Sequence, residues 1–194
     1  NTLNCPIFSS SRDAIINRTI YGRVGILLPE NQNDDEGDTW TVQLFSQFHM
    51  SNDSADFETF ESLEDGGERT SNSYTKGRSI FLPLYEAKLS HQFNHRAASF
   101  HGVPIQDRFK IHAWAKEPTI DQLQCPDYSI TPRYWVNANL VSPKLPDNRL
   151  WTCGFRNAIS SVADSRSVVA TVLPPAGIGN SLPLFRCDEP SEEA

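Results

Sequence analysis

The stretch LYEAKLSHQFNHRAASF, residues 84–100, concentrates side chains that can bind or catalyse. It places a lysine, two histidines, a glutamine, an asparagine and an arginine among aliphatic and aromatic residues. His91 and His95 have the four-residue spacing of helical zinc ligands. Gln92, however, stands where hydrolytic zinc helices carry their glutamate, and no third ligand is clearly marked. We therefore expect no metal here.

The tripeptide Glu86-Ala87-Lys88 matches half of a Mg²⁺-dependent nuclease site. In such sites a carboxylate binds the metal, and the lysine helps to orient the attacking water. Asp65 or Glu68 would have to complete the set. Both lie in the polar, glycine-containing residues 61–78, which predict a mobile loop and a poor support for a metal ligand. A PD-(D/E)XK-like nuclease is therefore the alternative function.

Residues 85–100 fit a helix with two different faces. The apolar side chains would share about a third of its circumference: Tyr85, Leu89, Phe93, Ala97 and Phe100. The polar ones would gather on another side: Lys88, His91, Gln92, His95 and Ser99. A weaker version ends the helix near Asn94 and continues as a strand. An ordinary packing helix is the alternative to a binding face.

The rest of the chain predicts one β-rich α+β domain, residues 1–194, around this stretch. A short helical pattern begins near Asp13, and a strand is expected at residues 23–28 before Pro29. Further strands are expected in TWTVQLFSQFHM, SIFLPLYEAK, RYWVNANLV, RLWTCGF and SRSVVATVLP. The last is almost entirely apolar, which predicts a central strand.

Charge is distributed unevenly along the chain. The net charge is −7, and 12 acidic side chains lie between Glu30 and Glu68. From Arg69 to Arg186, by contrast, 14 Lys and Arg face 7 Asp and Glu. An acidic loop at residues 30–38 and an acidic tail at residues 188–194 thus mask a basic body. The alternative is that these charges form a solvated surface.

Several function classes lack support. The four cysteines show neither metal-ligand spacing nor a framework of disulfides, so a reduced cytoplasm is expected. No apolar run reaches membrane length, so no membrane partner is expected. The motif AGIGN, residues 176–180, has no third glycine and opens no helix, which argues against a dinucleotide loop. The chain lacks an initiator Met, and we interpret it as part of a longer protein.

Three blocks carry a resemblance to a known family. They are FHMSNDSADF, PLYEAKLSHQFNHRAASF and LWTCGFRNAISSVADSRSVVATVLPPAGIGNSLPLF, about a third of the chain. Together they resemble the region that follows the catalytic domain in large bacterial N6-adenine DNA methyltransferases of restriction–modification and phage-defence systems. The relatives meant are type IIG enzymes and TaqI-like methyltransferases with a C-terminal specificity domain.

The resemblance implies target recognition: this region holds duplex DNA while an upstream methyltransferase domain of the same chain modifies a flipped adenine with S-adenosylmethionine. The family's Asn-Pro-Pro-Tyr type tetrapeptide and its cofactor-binding glycine loop are absent. No catalytic, cofactor-binding or metal residue is therefore carried over. Asn94 also departs from the family pattern, which often has an acidic residue before the His-Arg pair.

DNA recognition needs cations for phosphates and planar donor groups for base edges. The candidate residues are Lys88, His91, Gln92, His95 and Arg96, with Arg156, Asn157 and Arg166 as a second group near Ser160. The alternative to DNA contact for Arg156 and Arg166 is that they are surface charges at strand ends. For Asn180, between Gly179 and Ser181, a position in a turn is expected rather than a DNA contact. A third function remains open, a protein-interaction scaffold in a defence complex.

Overall fold

A computed structural model describes residues 8–24, 42–110, 112–145, 150–159 and 166–187. These residues form five α-helices and ten strands, which confirms the β-rich α+β class. The helices are α1 (Ser11–Tyr21), α2 (Phe60–Glu64), α3 (Ile105–Arg108), α4 (Ile120–Gln124) and α5 (Ala138–Val141). The strands are β1 (Val42–Phe45), β2 (Phe57–Thr59), β3 (Gly67–Thr70), β4 (Ser73–Lys76), β5 (Ser79–Tyr85), β6 (Tyr134–Asn137), β7 (Thr152–Phe155), β8 (Ala170–Leu173), β9 (Gly177–Ile178) and β10 (Leu184–Cys187).

The strands belong to two sheets. One has the order β1-β10-β7-β8, and the other has the order β2-β6-β5-β4-β3 with β9 also paired to β5. In the second sheet Leu82 of β5 pairs with Val136 of β6 in antiparallel register. β9 runs parallel to the end of β5, with Leu84 opposite Gly177. β5 thus has ladder partners along most of its seven residues.

Contacts divide the chain into two units. One comprises Asn1–Gln43 and Arg186–Ala194, and the other comprises Leu44–Phe185. In the first, α1 confirms the predicted helix: the Ser10 hydroxyl accepts a hydrogen bond from the Asp13 amide and caps its N-terminus. The second contains every candidate DNA-binding residue. Within the described ranges, no helix combines the length and apolarity that a membrane span requires.

The core of the larger unit consists of three apolar clusters. β5 supplies two of them, because neighbouring strand residues point to opposite faces: Leu84 packs with Phe48 and Val136, while Tyr85 packs in the cluster around Phe100. The third cluster surrounds Trp135. Phe48 is completely buried.

Residues 61–78 are not the predicted loop. They form the end of α2 and the β3–β4 hairpin, in which Gly67 pairs with Lys76 and Thr70 with Ser73. Tyr74 of β4 is buried, and its ring meets the Trp135 ring edge-on at 5.2 Å. The prediction failed because this polar hairpin needs only a few apolar contacts of its own when β6, two strands away from β4 in the sheet, supplies Trp135.

Two other strand predictions require correction. β8 lies at the end of its sheet order among the described residues, not at the centre, and its Val172 is exposed. RYWVNANLV changes from strand to helix at Asn137, whose side chain accepts a hydrogen bond from the Asn139 amide and caps α5. Several predictions fall outside the described residues: most of the strand at 23–28, the acidic loop 30–38, Ser160 and the tail 188–194.

Candidate nucleic-acid interface

The stretch from Tyr85 to Phe100 is not a helix. β5 continues to Tyr85, a 3₁₀ turn covers Ala87–Leu89, and the following residues form a tight turn and extended segments. Tertiary contacts override the helical spacing, because β9 pairs with the end of β5 and the Glu86 side chain is paired with Arg133. His91 and His95 therefore do not share a helix face.

A tight turn occupies residues 91–94. The His91 amide donates to the Asn94 carbonyl at 2.8 Å, and the Asn94 amide donates back at 2.9 Å. Phe93 has a φ of 59°, the left-handed region, as the third residue of a type II turn does. The Asn94 side chain accepts a hydrogen bond from the Arg96 amide at 2.8 Å. An aspartate at this position would be able to accept the same bond.

The turn is attached to β8 and to the residue after β7. The Gln92 side-chain oxygen accepts a hydrogen bond from the Ala170 amide at 2.8 Å, and the Phe93 amide donates to the Ala170 carbonyl at 2.9 Å. The Arg156 guanidinium donates to the Ser90 carbonyl from Nη2 at 2.6 Å and from Nε at 3.2 Å. Gln92 and Arg156, both predicted to contact DNA, thus orient this turn.

Lys88, His91 and Arg156 line one open cleft of about 590 Å³. His112, Trp114 and Glu117 line it as well. The Lys88 ammonium donates to the Ala113 carbonyl at 3.3 Å. Burial lowers the pKa of Lys88, the nearby Glu86 carboxylate opposes that shift, and Arg133 adds to it. The cleft therefore combines cationic groups with an exposed indole.

A second cleft has a volume of about 380 Å³, and Arg156 lines it as well as the first. Asn157 and Arg166 line it together with Arg156. The β7–β8 ladder explains this proximity, because Phe155 pairs with Ala170 and the Arg156 amide donates to the Val169 carbonyl at 2.9 Å. Six of the eight candidates thus lie in the clefts or the turn beside them: Lys88, His91, Gln92, Arg156, Asn157 and Arg166.

His95 and Arg96 line neither cleft. The Arg96 guanidinium donates to the carbonyls of Leu123, Cys125 and Tyr128 at 3.1–3.2 Å, at the C-terminal end of α4. Burial, followed by the charge of Arg96, lowers the pKa of His95. The contacts with the carbonyls favour a structural role for Arg96 over a DNA contact, whereas the DNA contact of His95 stays a prediction.

The geometry around Glu86 does not favour the nuclease alternative. Glu86 is buried, and both of its carboxylate oxygens are bonded to the Arg133 guanidinium. A metal ion would have to displace that cation. In the described part of the chain, no group of three or more His, Cys, Asp or Glu side chains is placed to bind a metal ion.

Internal contacts occupy several of the arginines in the basic half of the chain. Arg69 donates to the Thr131 hydroxyl at 2.9 Å, and Arg108 pairs with Glu61 at 3.1 Å. Arg96 and Arg133 are likewise directed inward. The local charge balance read from the sequence therefore overstates the cationic surface.

The sequence interpretation missed the exposed aromatic residues beside the candidate cations. Trp114 is 85% exposed on the rim of the larger cleft, and Phe93 is 87% exposed at the tip of the turn. The available signal for an exposed Trp114 was the segment HAWAKE, in which its neighbours are alanine, histidine, lysine and glutamate and no other large apolar residue is present. Comparison of the chain with protein-family models, with curated protein sequences and with solved structures finds no match.

Proposed function

We propose that this chain is the DNA target-recognition module of a restriction–modification-type adenine-N6 DNA methyltransferase. In this proposal it holds duplex DNA for an upstream catalytic domain, and that domain carries the S-adenosylmethionine. The observation that carries the proposal is that Arg156, from a distant part of the chain, meets Lys88 and His91 at one open cleft. The methyltransferase partner rests on the sequence resemblance alone.

The groups around the two clefts suit the two parts of DNA recognition. The ammonium of Lys88 and the exposed guanidinium of Arg166 suit phosphates, which supply most of the affinity. Asn157 is exposed and carries a planar amide that can both donate to and accept from a base edge. Gln92 and Arg156 support the site by orienting the turn between these groups.

The test compares two double variants that each remove one lysine and one arginine. Lys88→Ala with Arg166→Ala removes cations from the two clefts, whereas Lys110→Ala with Arg78→Ala removes exposed cations that line neither cleft. Fluorescence anisotropy with a labelled duplex at several salt concentrations gives the slope of log K against log salt. The first variant should flatten that slope by about two units, because each phosphate contact contributes about −0.9.

Unchanged affinity and slope in the cleft variant would contradict the proposal, as would an equal loss in the control. The control also separates specific contacts from a general change in net charge. In the parent enzyme, Asn157→Ala should relax the methylated sequence, with about 1–3 kcal/mol of lost discrimination. If DNA does not bind in a salt-dependent manner, the scaffold function is favoured.

A further inference from the structure

Phe93 combines two unfavourable features at the tip of the turn. Its side chain is 87% exposed, and its φ of 59° lies in the left-handed region. Among the described residues it is the only non-glycine residue with a positive φ. A bulky side chain is rarely found in this conformation, and glycine or asparagine would adopt it at lower cost.

The surroundings hold Phe93 in this conformation. On one side, its own amide and the Gln92 side chain both bond to Ala170. At the start of the turn, Arg156 bonds to the Ser90 carbonyl. Strained backbone persists only where neighbouring structure fixes it, and it is concentrated at binding sites. These contacts leave the ring directed away from the core.

The exposed ring belongs to the same turn as His91, which lines the cleft that Lys88 and Arg156 also line. Arg156 lines the smaller cleft as well. An exposed aromatic ring in a turn beside a cleft with cationic side chains matches a polyanion that also offers flat apolar surfaces. Nucleic acid has this combination, since phosphates meet the cations and bases can stack on the ring.

We infer that Phe93 is an apolar wedge that enters a base step of bound duplex DNA and partly unstacks it. The inference rests on the proposed DNA-binding function and deepens it. Side chains of this type kink duplexes elsewhere by partial insertion between neighbouring bases. The module should therefore prefer sites whose bases unstack easily, such as TA steps or mismatches, over stiff A-tracts.

The test uses the whole chain, a duplex that carries 2-aminopurine, and the variants Phe93→Gly and Phe93→Trp. Wild-type protein should raise the 2-aminopurine fluorescence at an easily unstacked step, because an unstacked probe emits more strongly. Phe93→Gly should abolish that rise and weaken binding by about tenfold, since a base–aromatic stack is lost. Phe93→Trp should preserve both the rise and the affinity.

Thermal unfolding separates loss of the ring from loss of the fold. Phe93→Gly should not lower Tm, because relief of the left-handed conformation offsets the extra freedom that glycine gives the unfolded chain. Ile120→Ala is the matched control: Ile120 is 73% exposed at the start of α4 and lines neither cleft. It should leave the fluorescence rise and the affinity unchanged.

Two failures are distinguishable. If wild-type protein binds duplex and Phe93→Gly binds equally well with the same fluorescence rise, the wedge is wrong while the proposed function stands. If wild-type protein shows no salt-dependent binding to any duplex, both are wrong.

Discussion

Arg133 and Glu86 form a buried, bidentate ion pair. Nε of Arg133 lies 2.7 Å from Oε1 of Glu86, and Nη2 bonds to Oε2. The two side chains are 15% and 6% exposed. Burial opposes the charge of Arg133, but the hydrogen bond and the charge of Glu86 outweigh it and raise the pKa of the guanidinium. This pair fixes the segment after β5 against the residue before β6.

Breaking the pair from one side should be costly. We expect Glu86→Ala to lower the free energy of unfolding by about 3–5 kcal/mol, because it leaves a buried guanidinium without a counter-charge. Replacing both partners by apolar residues, Glu86→Leu with Arg133→Met, should cost less than the single change. Urea unfolding of the three proteins measures this. A loss below about 1 kcal/mol for Glu86→Ala would contradict the buried-pair assignment.

Gly177→Ala should destabilise the protein by overpacking. A Cβ at this position would collide with the Val136 side chain and lie 3.0 Å from Leu84 Cδ1. Such insertions into a packed core typically cost about 1–3 kcal/mol. Val136→Ala removes the colliding group, so Gly177→Ala should cost less in that background. Equal costs in the two backgrounds, measured by urea unfolding, would show that the clash is not the cause.

Arg96→Ala should affect stability and leave DNA binding intact. The change removes a guanidinium that donates to three carbonyls at the end of α4, and hydrogen bonds to charged groups contribute about 1.5–3 kcal/mol each. Chemical unfolding should show a free energy of unfolding that is lower by an amount of that order. The slope of log K against log salt for DNA binding should equal that of the wild-type protein. Arg78→Ala, at an exposed arginine, is the control for loss of charge. A slope flatter by about one unit would instead assign Arg96 a phosphate contact.

His95 should make the fold sensitive to acid. Burial and Arg96 hold its pKa in the native state below the ordinary value of 6.5. At a pH between the native-state pKa and 6.5, the unfolded chain therefore binds more protons than the native state. Stability should then fall as the pH drops below about 6.5 towards the lowered pKa, and no penalty should remain above that window. His95→Gln should reduce the difference between urea midpoints at pH 7.5 and at low pH. His49→Gln corrects for the loss of a histidine as such, and an equal effect of both changes would contradict the assignment.

Local pattern was sufficient where a segment's own residues indicate its type. α1 has a serine cap and ends before Gly22, and the apolar run of β5 reads as a strand. Both were predictable because caps, turn residues and strand periodicity are local properties. The hairpin of residues 67–76 was not, because its burial depends on Trp135, which is distant in sequence.

The sequence by itself determined the β-rich α+β class and marked the residues that gather around Arg156. Only the tertiary structure decided what those residues do. The spacing of residues in the sequence cannot show that β9 pairs with the end of β5 up to Tyr85, or that Gln92 bonds to Ala170. It also cannot show that the Arg96 guanidinium bonds to carbonyls at the end of α4. These outcomes depend on long-range hydrogen bonds, and a buried donor or acceptor must find a partner wherever the fold provides one.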